Sequence, residues 1–301
     1  IDFEGSFTEE ILDYLRDYRS IVLVNKTDLL PGFVHPTEIA DWIKDRLAEE
    51  DIVPENIAFI SAKNKYGING VIRKIKSIFP VKKVKAVVLG VSNVGKSSVI
   101  NLLLGKNKIT TSKYSGTTLK SINNKIPDTD ITITDTPGLI PKEKRLSDMI
   151  SVETGLKLVP AGEISRKTFK LEEGQVFMFD AFCWFKVKEN KAKNDDTEEE
   201  TGYKPIFAAY SSKNVKFHLT KEERVEELLE GDFFELLKGE EKKKYFENEF
   251  VTFKTTVKEN EDLVISGLGW INVKRGPLAI ELTVPKGVKV IVRPSIFKGK
   301  K

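Results

Sequence analysis

Residues 90–97 read GVSNVGKS: a glycine, four residues, a second glycine, then Lys96 and Ser97. The apolar run KAVVLG (85–90) leads into this stretch and VINLLL (99–104) leads out of it. A buried strand, a glycine turn and a helix in that order form the context in which this spacing binds phosphate. Gly90 and Gly95 let backbone amides approach an anion, and the helix amino end adds partial positive charge. Lys96 reaches the outer phosphates, Ser97 supplies a hydroxyl for magnesium, and Ser92, Asn93, Val94 and Ser98 complete the loop's contacts.

Three further stretches stand at the ends of short apolar runs. DTPG (135–138) follows ITIT, which places Asp135 to hold magnesium through water and the Gly138 amide to meet a terminal phosphate. NKTD (25–28) follows SIVLV, and SAK (61–63) closes IAFIS. Binding residues of an open α/β sheet gather at the carboxyl ends of its strands. Asp28 can accept the N1 and N2 protons of guanine, a pair adenine lacks, and the SAK backbone can donate to O6. Each tetrapeptide has an everyday loop reading. Four of them at strand ends make the nucleotide GTP rather than ATP, contacted by Asn25, Lys26, Asp28, Ser61, Ala62 and Lys63 as well as the phosphate loop.

Strands and helices alternate around these motifs. Ser6 with Glu9 fits a capping box, so residues 7–18 read as a helix. Pro36 and Thr37 open a second helix, and Ile68, Ile72, Ile75 and Phe79 line a third that stops at Pro80. Residues 119–126 and 131–135 read as further strands. The expected architecture to about residue 140 is a mostly parallel α/β sheet with helices on both faces.

These motifs resemble the signatures of the Ras-like GTPases, in which the phosphate loop, DxxG, NKxD and SAK normally occur in that order. Here NKTD and SAK come first, so the resemblance implies a circularly permuted P-loop domain. DFEGS near the start, SGLGW (266–270) and PKGVKVIVRPS (285–295) resemble the YqeH family of ribosome-assembly GTPases. The resemblance implies hydrolysis of GTP to GDP, with Lys96, Thr118, Asp135 and Gly138 in catalysis and Ser97, Thr118 and Asp135 around Mg2+. The threonine of YSGTTLK that reaches magnesium is Thr118, with Thr117 as the alternative. Asn93 is similar to the asparagine of potassium-stimulated GTPases, which implies K+ as a further cofactor. Leu139 stands where many relatives place a water-orienting glutamine, so unaided turnover is expected to be slow. The implied partner is ribosomal RNA or the small ribosomal subunit. A nucleotide-gated binding module, or a GTPase acting on the large subunit or tRNA, are the alternatives.

Two features depart from the family. It carries a four-cysteine zinc finger, whereas this chain has one cysteine, so no zinc is expected in it. Five strands are legible where a Ras-like domain has six, and the sixth is expected just before Asp2. The chain reads as a truncated product.

The division expected is a GTPase domain over 1–155 and a β-rich α+β recognition domain over 156–301. In the second, RKTFKL, QVFMFDAF, KPIFAAY, NVKFHLT, FVTFKTTV, DLVISGLGW, LAIELTV and VKVIVR read as strands, with helix only over 220–247. The acidic segment 190–201 reads as a loop. Trp184, Trp270, Phe182, Phe185 and Tyr210 offer base-stacking candidates, although alternating aromatics in strands are more often core. Lys286, Lys289, Arg293, Lys298, Lys300 and Lys301 lie in a tail without an acid, which suits RNA phosphates. Residues 139–160 read as a linker through which a switch at DTPG pulls on the second domain.

With 301 residues, 40% hydrophobic and 31% charged, the composition is that of a globular protein. No run approaches the roughly 20 apolar residues that span a bilayer. A monomer in the cytoplasm, or in an organelle stroma or matrix, is expected. One cysteine and two histidines give no thiolate or histidine metal centre. The net charge of +4 hides an uneven spread, because no acid occurs between Glu55 and Asp128 while lysines and Arg73 recur there. Such a block favours a polyanionic partner.

Overall fold

The structure is a computed structural model that describes residues 3–80, 83–105, 122–139, 143–189 and 204–297. The chain divides into two compact units, Phe3–Lys142 and Glu143–Lys301.

In the first unit, helix α1 (Glu9–Asp17) precedes strand β1 (Ile21–Val24), helix α2 (Pro36–Ala48), strand β2 (Asn56–Phe59) and helix α3 (Ile68–Ile78). Strand β3 (Val84–Val88), helix α4 (Lys96–Leu103) and strands β4 (Ile122–Lys125) and β5 (Ile131–Asp135) follow. The cap of α1 is Thr8, whose hydroxyl accepts from the Ile11 amide at 3.4 Å, rather than Ser6. The Ser6 amide instead closes a turn onto the Phe3 carbonyl, so the chain is not yet helical where the capping box was expected.

β1 and β2 pair in parallel, as do β3 and β5, with β4 antiparallel on β5. Among the described residues these pairings form two sheets, β1-β2 and β3-β5-β4, instead of one continuous sheet. The two still share a core: Ala58 and Ile60 pack with Ile131 and Ile133 around α3 and α4. Ile68, Val71 and Ile75 are the buried positions of α3, three and four residues apart.

The second unit begins earlier than a linker reading allows. Residues 146–148 form a 3-10 turn and Val152–Leu158 form helix α5, and Leu146 is fully buried. Ten strands follow among the described residues, where eight were expected. They are β6 (Ser165–Lys170), β7 (Gln175–Phe179), β8 (Cys183–Glu189), β9 (Ile206–Ser211) and β10 (Phe217–Lys221). After helices α6 (Val225–Glu230) and α7 (Gly239–Phe246) come β11 (Phe250–Val257), β12 (Glu261–Ile265), β13 (Gly269–Arg275), β14 (Leu278–Pro285) and β15 (Val290–Pro294). QVFMFDAF is split because Asp180, at φ +52°, turns the chain into β8. DLVISGLGW is split likewise by the turn at Ser266–Leu268.

Two five-stranded antiparallel sheets result, ordered β10-β7-β8-β14-β11 and β15-β12-β13-β9-β6. Their facing side chains make one core in which Phe207 meets Phe177 at 4.9 Å and Phe185 at 5.6 Å. The stacking candidates are spent on packing: Phe182, Phe185, Tyr210 and Trp270 are buried, and Trp184 stacks on Phe250. Burial also pushes the Cys183 thiol up, which leaves it an inert core residue.

The basic tail is neutralised in space. Lys286 pairs with Glu249 at 2.7 Å and Lys289 with Glu143 at 2.5 Å. Arg293 is fully buried against Asp262 at 3.6 Å. Acids distant in sequence therefore remove three of the six cations proposed for phosphate contact. Lys298, Lys300 and Lys301 lie outside the described residues, as does the acidic segment 190–201.

Candidate nucleotide-binding site

The phosphate loop runs from the end of β3 to the first turn of α4. Asn93 (φ +68°) and Gly95 (φ +96°) hold the left-handed conformations that turn successive amides to one side. Gly95 is also required by contact, because a Cβ there would stand 2.4 Å from Asn25 Nδ2. Lys96 curls back over the loop and donates to the carbonyls of Gly90 at 2.8 Å and Val91 at 3.1 Å. Its pKa is lowered by burial, an effect opposed by the nearby Asp135 carboxylate. Ser97 and Ser98 occupy the first turn of α4.

DTPG closes against this loop. Asp135 ends β5 opposite Val88 of β3 and is fully buried. The Thr136 hydroxyl donates to the Val88 carbonyl at 2.8 Å. Beyond it, the Leu139 amide donates to Gly90 and the Ser92 amide donates to the Leu139 carbonyl at 3.1 Å. Gly138 is consequently pressed onto the loop: a Cβ there would lie 2.8 Å from Ser92 Oγ and 3.1 Å from Lys96 Nζ.

NKTD and SAK meet the same loop from the other side. Asn25 donates to the Val94 carbonyl at 3.1 Å and accepts from the Ala62 amide at 3.1 Å. Lys26 donates to the Asn93 carbonyl at 3.1 Å. Asp28 accepts from the Ser61 hydroxyl at 2.6 Å, and that hydroxyl accepts from the Asn64 amide at 3.1 Å. Lys63 is exposed beside them. Thr27 ties the two loops again, its amide and hydroxyl both donating to the Ile60 carbonyl.

The structure therefore brings Asn25, Lys26, Asp28, Ser61, Ala62, Asn93, Val94, Gly95, Lys96, Asp135 and Gly138 into one linked set of loops. Thr117 and Thr118 lie outside the described residues. The roles of the Thr136 hydroxyl and of the Leu139 backbone were not legible in the sequence, since both act through hydrogen bonds with main-chain groups 47 to 49 residues earlier in the chain. The donor set, with an ammonium, a hydroxyl and a carboxylate around amide-lined backbone, suits a nucleoside triphosphate with a hard divalent cation.

Two family models match the chain. Residues 85–174 match the family model described as 50S ribosome-binding GTPase, and residues 204–296 match the model described as YqeH-like, C-terminal. The YqeH protein of Bacillus subtilis is 30% identical over 303 residues, covering 98% of this chain and 78% of the relative. A probable ribosome biogenesis GTPase A of Mycoplasma pneumoniae is 27% identical across 73% of this chain and 84% of its own length. NO-associated protein 1, chloroplastic/mitochondrial, of Arabidopsis thaliana is 24% identical across 99% of this chain, which spans 60% of that relative. Among the described residues no helix is long and apolar enough to cross a membrane.

Proposed function

Because this chain belongs to the YqeH family and is a GTPase, we propose that it is a circularly permuted Ras-like switch that engages the small ribosomal subunit during assembly. The observation that carries the nucleotide half is the convergence of four separated motifs through Asn25–Val94, Asn25–Ala62, Lys26–Asn93 and the Gly138 approach to Ser92. Their order along the chain, NKTD and SAK before the phosphate loop, supports permutation.

In this reading Lys96 exchanges its two carbonyl partners for phosphate oxygens when GTP enters, and the amides around Asn93 and Gly95 hold the β-phosphate. Asn25 spends both ends of its amide on other loops, so it positions the pocket and leaves base reading to Asp28. Ser61 orients Asp28, and the backbone of Ala62 and Lys63 faces guanine O6. Ser97, Thr118 and Asp135 would hold Mg2+, which would supply positive charge to offset that on the phosphates. Asn93 would hold K+. Leu139 supplies no polar group to orient water, which makes turnover slow until a cation or partner supplies what is missing. The Gly138 amide senses the terminal phosphate.

Bacterial relatives fit a cytoplasmic setting, and the chloroplastic/mitochondrial relative of Arabidopsis fits an organelle. A second reading takes the large subunit as partner, favoured by the description of the matched GTPase model. The test is GTP turnover in potassium buffer with purified small or large subunits added. Stimulation specific to small subunits is expected, stimulation by large subunits selects the second reading, and tight GTP binding unmoved by either particle selects a nucleotide-gated binding module.

A further inference from the structure

The sequence block without acids resolves into cations that are neutralised in space and cations that are not. Lys125 pairs with Asp130 at 3.2 Å, and Lys74 is tied to the Asn56 side chain and the Ile57 carbonyl. Lys65, Arg73 and Lys76 are exposed and make no ion pair among the described residues. Helix α3 contains no acid. Its solvent-facing positions Asn69, Arg73, Lys76 and Ser77 recur three and four residues apart, opposite the buried Ile68, Val71 and Ile75, and Lys65 stands in the turn before the helix, two residues ahead of its Gly67 cap. Neighbours on such a row lie about 5–6 Å apart.

At its amino end the row borders a groove of about 730 Å³ that Lys65, Tyr66 and Arg73 help to line, without an acid in its walls. Tyr66 is 65% exposed there. At the other end Asp128 and Asp130 line a second groove with Lys76 and mark where the uncompensated charge stops.

Resting on the reading above that the partner contains RNA, we propose that the exposed face of α3, with Lys65, Tyr66, Arg73 and Lys76, binds a single-stranded RNA segment. A row of unpaired cations tracks a phosphate backbone, and an exposed aromatic beside it gives a base a stacking surface. An acidic peptide fits less well. Lys74 already occupies the Ile57 carbonyl of β2 at 3.5 Å, and the cations continue along the helix past the groove to Lys76. This face also differs from the carboxyl tail, whose described cations are each taken up by an acid.

The test is fluorescence anisotropy of the whole chain with a labelled oligouridylate across a potassium chloride series, with GTP turnover measured alongside. The variant Lys65→Ala/Arg73→Ala/Lys76→Ala is expected to lose roughly tenfold or more in affinity at low salt and to flatten the log–log salt slope by about 2, at about 0.7 per single-strand phosphate contact. Tyr66→Ala is expected to lose roughly fivefold or more with the slope unchanged. Lys65→Arg/Arg73→Lys/Lys76→Arg keeps the slope. Turnover is expected to stay at the wild-type rate in all of them, which also reports folding: Arg73 and Lys76 lie on α3, and Lys65 and Tyr66 lose only exposed side chains while the main-chain pairs of Tyr66 with Ser61 are kept.

Wild-type RNA affinity and slope in the triple alanine variant overturn this surface while leaving the RNA-partner reading intact. Absence of RNA binding by the wild type, with GTP turnover present, overturns both. Displacement of the oligouridylate by polyglutamate at equal charge concentration overturns RNA in favour of an acidic protein.

Discussion

Asn25 and Val94 are 69 residues apart in sequence, yet the Asn25 amide donates to the Val94 carbonyl at 3.1 Å. The other end of the same side chain accepts from Ala62 at 3.1 Å. One residue thus ties the 61–63 loop to the 90–97 loop. Asn25→Ala removes two hydrogen bonds worth about 1 kcal/mol each. A lowered thermal midpoint and a GTP affinity reduced by roughly tenfold or more are expected, measured by thermal unfolding and nucleotide titration. Asn25→Asp keeps the Ala62 contact and loses the one to Val94, so it should fall between the two.

Gly138 has no room for a side chain on its phosphate-loop side. Besides the Ser92 hydroxyl and Lys96 ammonium, a Cβ would stand 3.2 Å from Ser92 Cα, which cannot rotate away. Gly138→Ala should leave GDP binding little changed and lower turnover roughly tenfold to a hundredfold, the scale of a small misplacement at a reacting centre. Unchanged turnover would remove Gly138 from the proposed phosphate sensor.

Asn93 holds a left-handed backbone with its carbonyl tied to Lys26, and its side chain is exposed beside the phosphate loop. Turnover in potassium should exceed that in sodium by roughly tenfold or more, the scale of one charge contact at the transition state. Asn93→Ala should erase the difference. Equal rates in the two salts would count against the cation.

Only three residues separate Leu139, hydrogen-bonded to Gly90 and Ser92, from Glu143, where the second unit begins. Directly beyond, Lys144 bonds Gly287 at 3.1 Å and Leu146 bonds Ser266 at 2.8 Å, while Glu241 accepts from the Ser151 amide and the Thr154 hydroxyl at 2.8 Å. With so few residues between them, the proposed switch at DTPG is expected to displace the second unit. Solution scattering should differ between GDP and a non-hydrolysable GTP analogue. A flexible glycine–serine insertion after Leu139 should abolish that difference while sparing turnover. Identical wild-type profiles would argue against the coupling.

In the second unit, Asp262 accepts from Asn272 at 2.8 Å and from the Ile296 amide at 3.1 Å, beside the buried Arg293. Asp262→Ala leaves that guanidinium without its carboxylate and should cost about 3–5 kcal/mol in denaturant unfolding. The double variant Asp262→Ala/Arg293→Met should recover part of the loss. Burial raises the Asp262 pKa, against the pull of Arg293. A raised carboxyl favours the folded state below its unfolded value of about 3.9, and that contribution is lost as pH rises through the folded value. The double variant should lack this slope.

How far the sequence could be read differs between the units. The four motifs that the structure brings together were legible in the sequence because their residue types are local: glycines in a turn between strand and helix, a carboxylate or amide where a strand ends. The turn at Asp180 was not, because QVFMFD is buried on both sides of the sandwich and carries no period-two alternation to show where the strand stops. Residues 143–158 read as a linker because their burial depends on partners more than a hundred residues later, at Ser266 and Gly287.

The sequence by itself determined the nucleotide, the order of the motifs and the antiparallel character of the second unit, since each follows from residue types at short spacing. Tertiary structure alone decided which charges remain available. Lys289 and Arg293 sit in a stretch with no acid and are nonetheless neutralised by Glu143 and Asp262, whereas Arg73 and Lys76, equally basic in sequence, form no ion pair among the described residues. Electrostatic pairing acts over a few ångströms of space, and only the folded chain brings acids distant in sequence within that range.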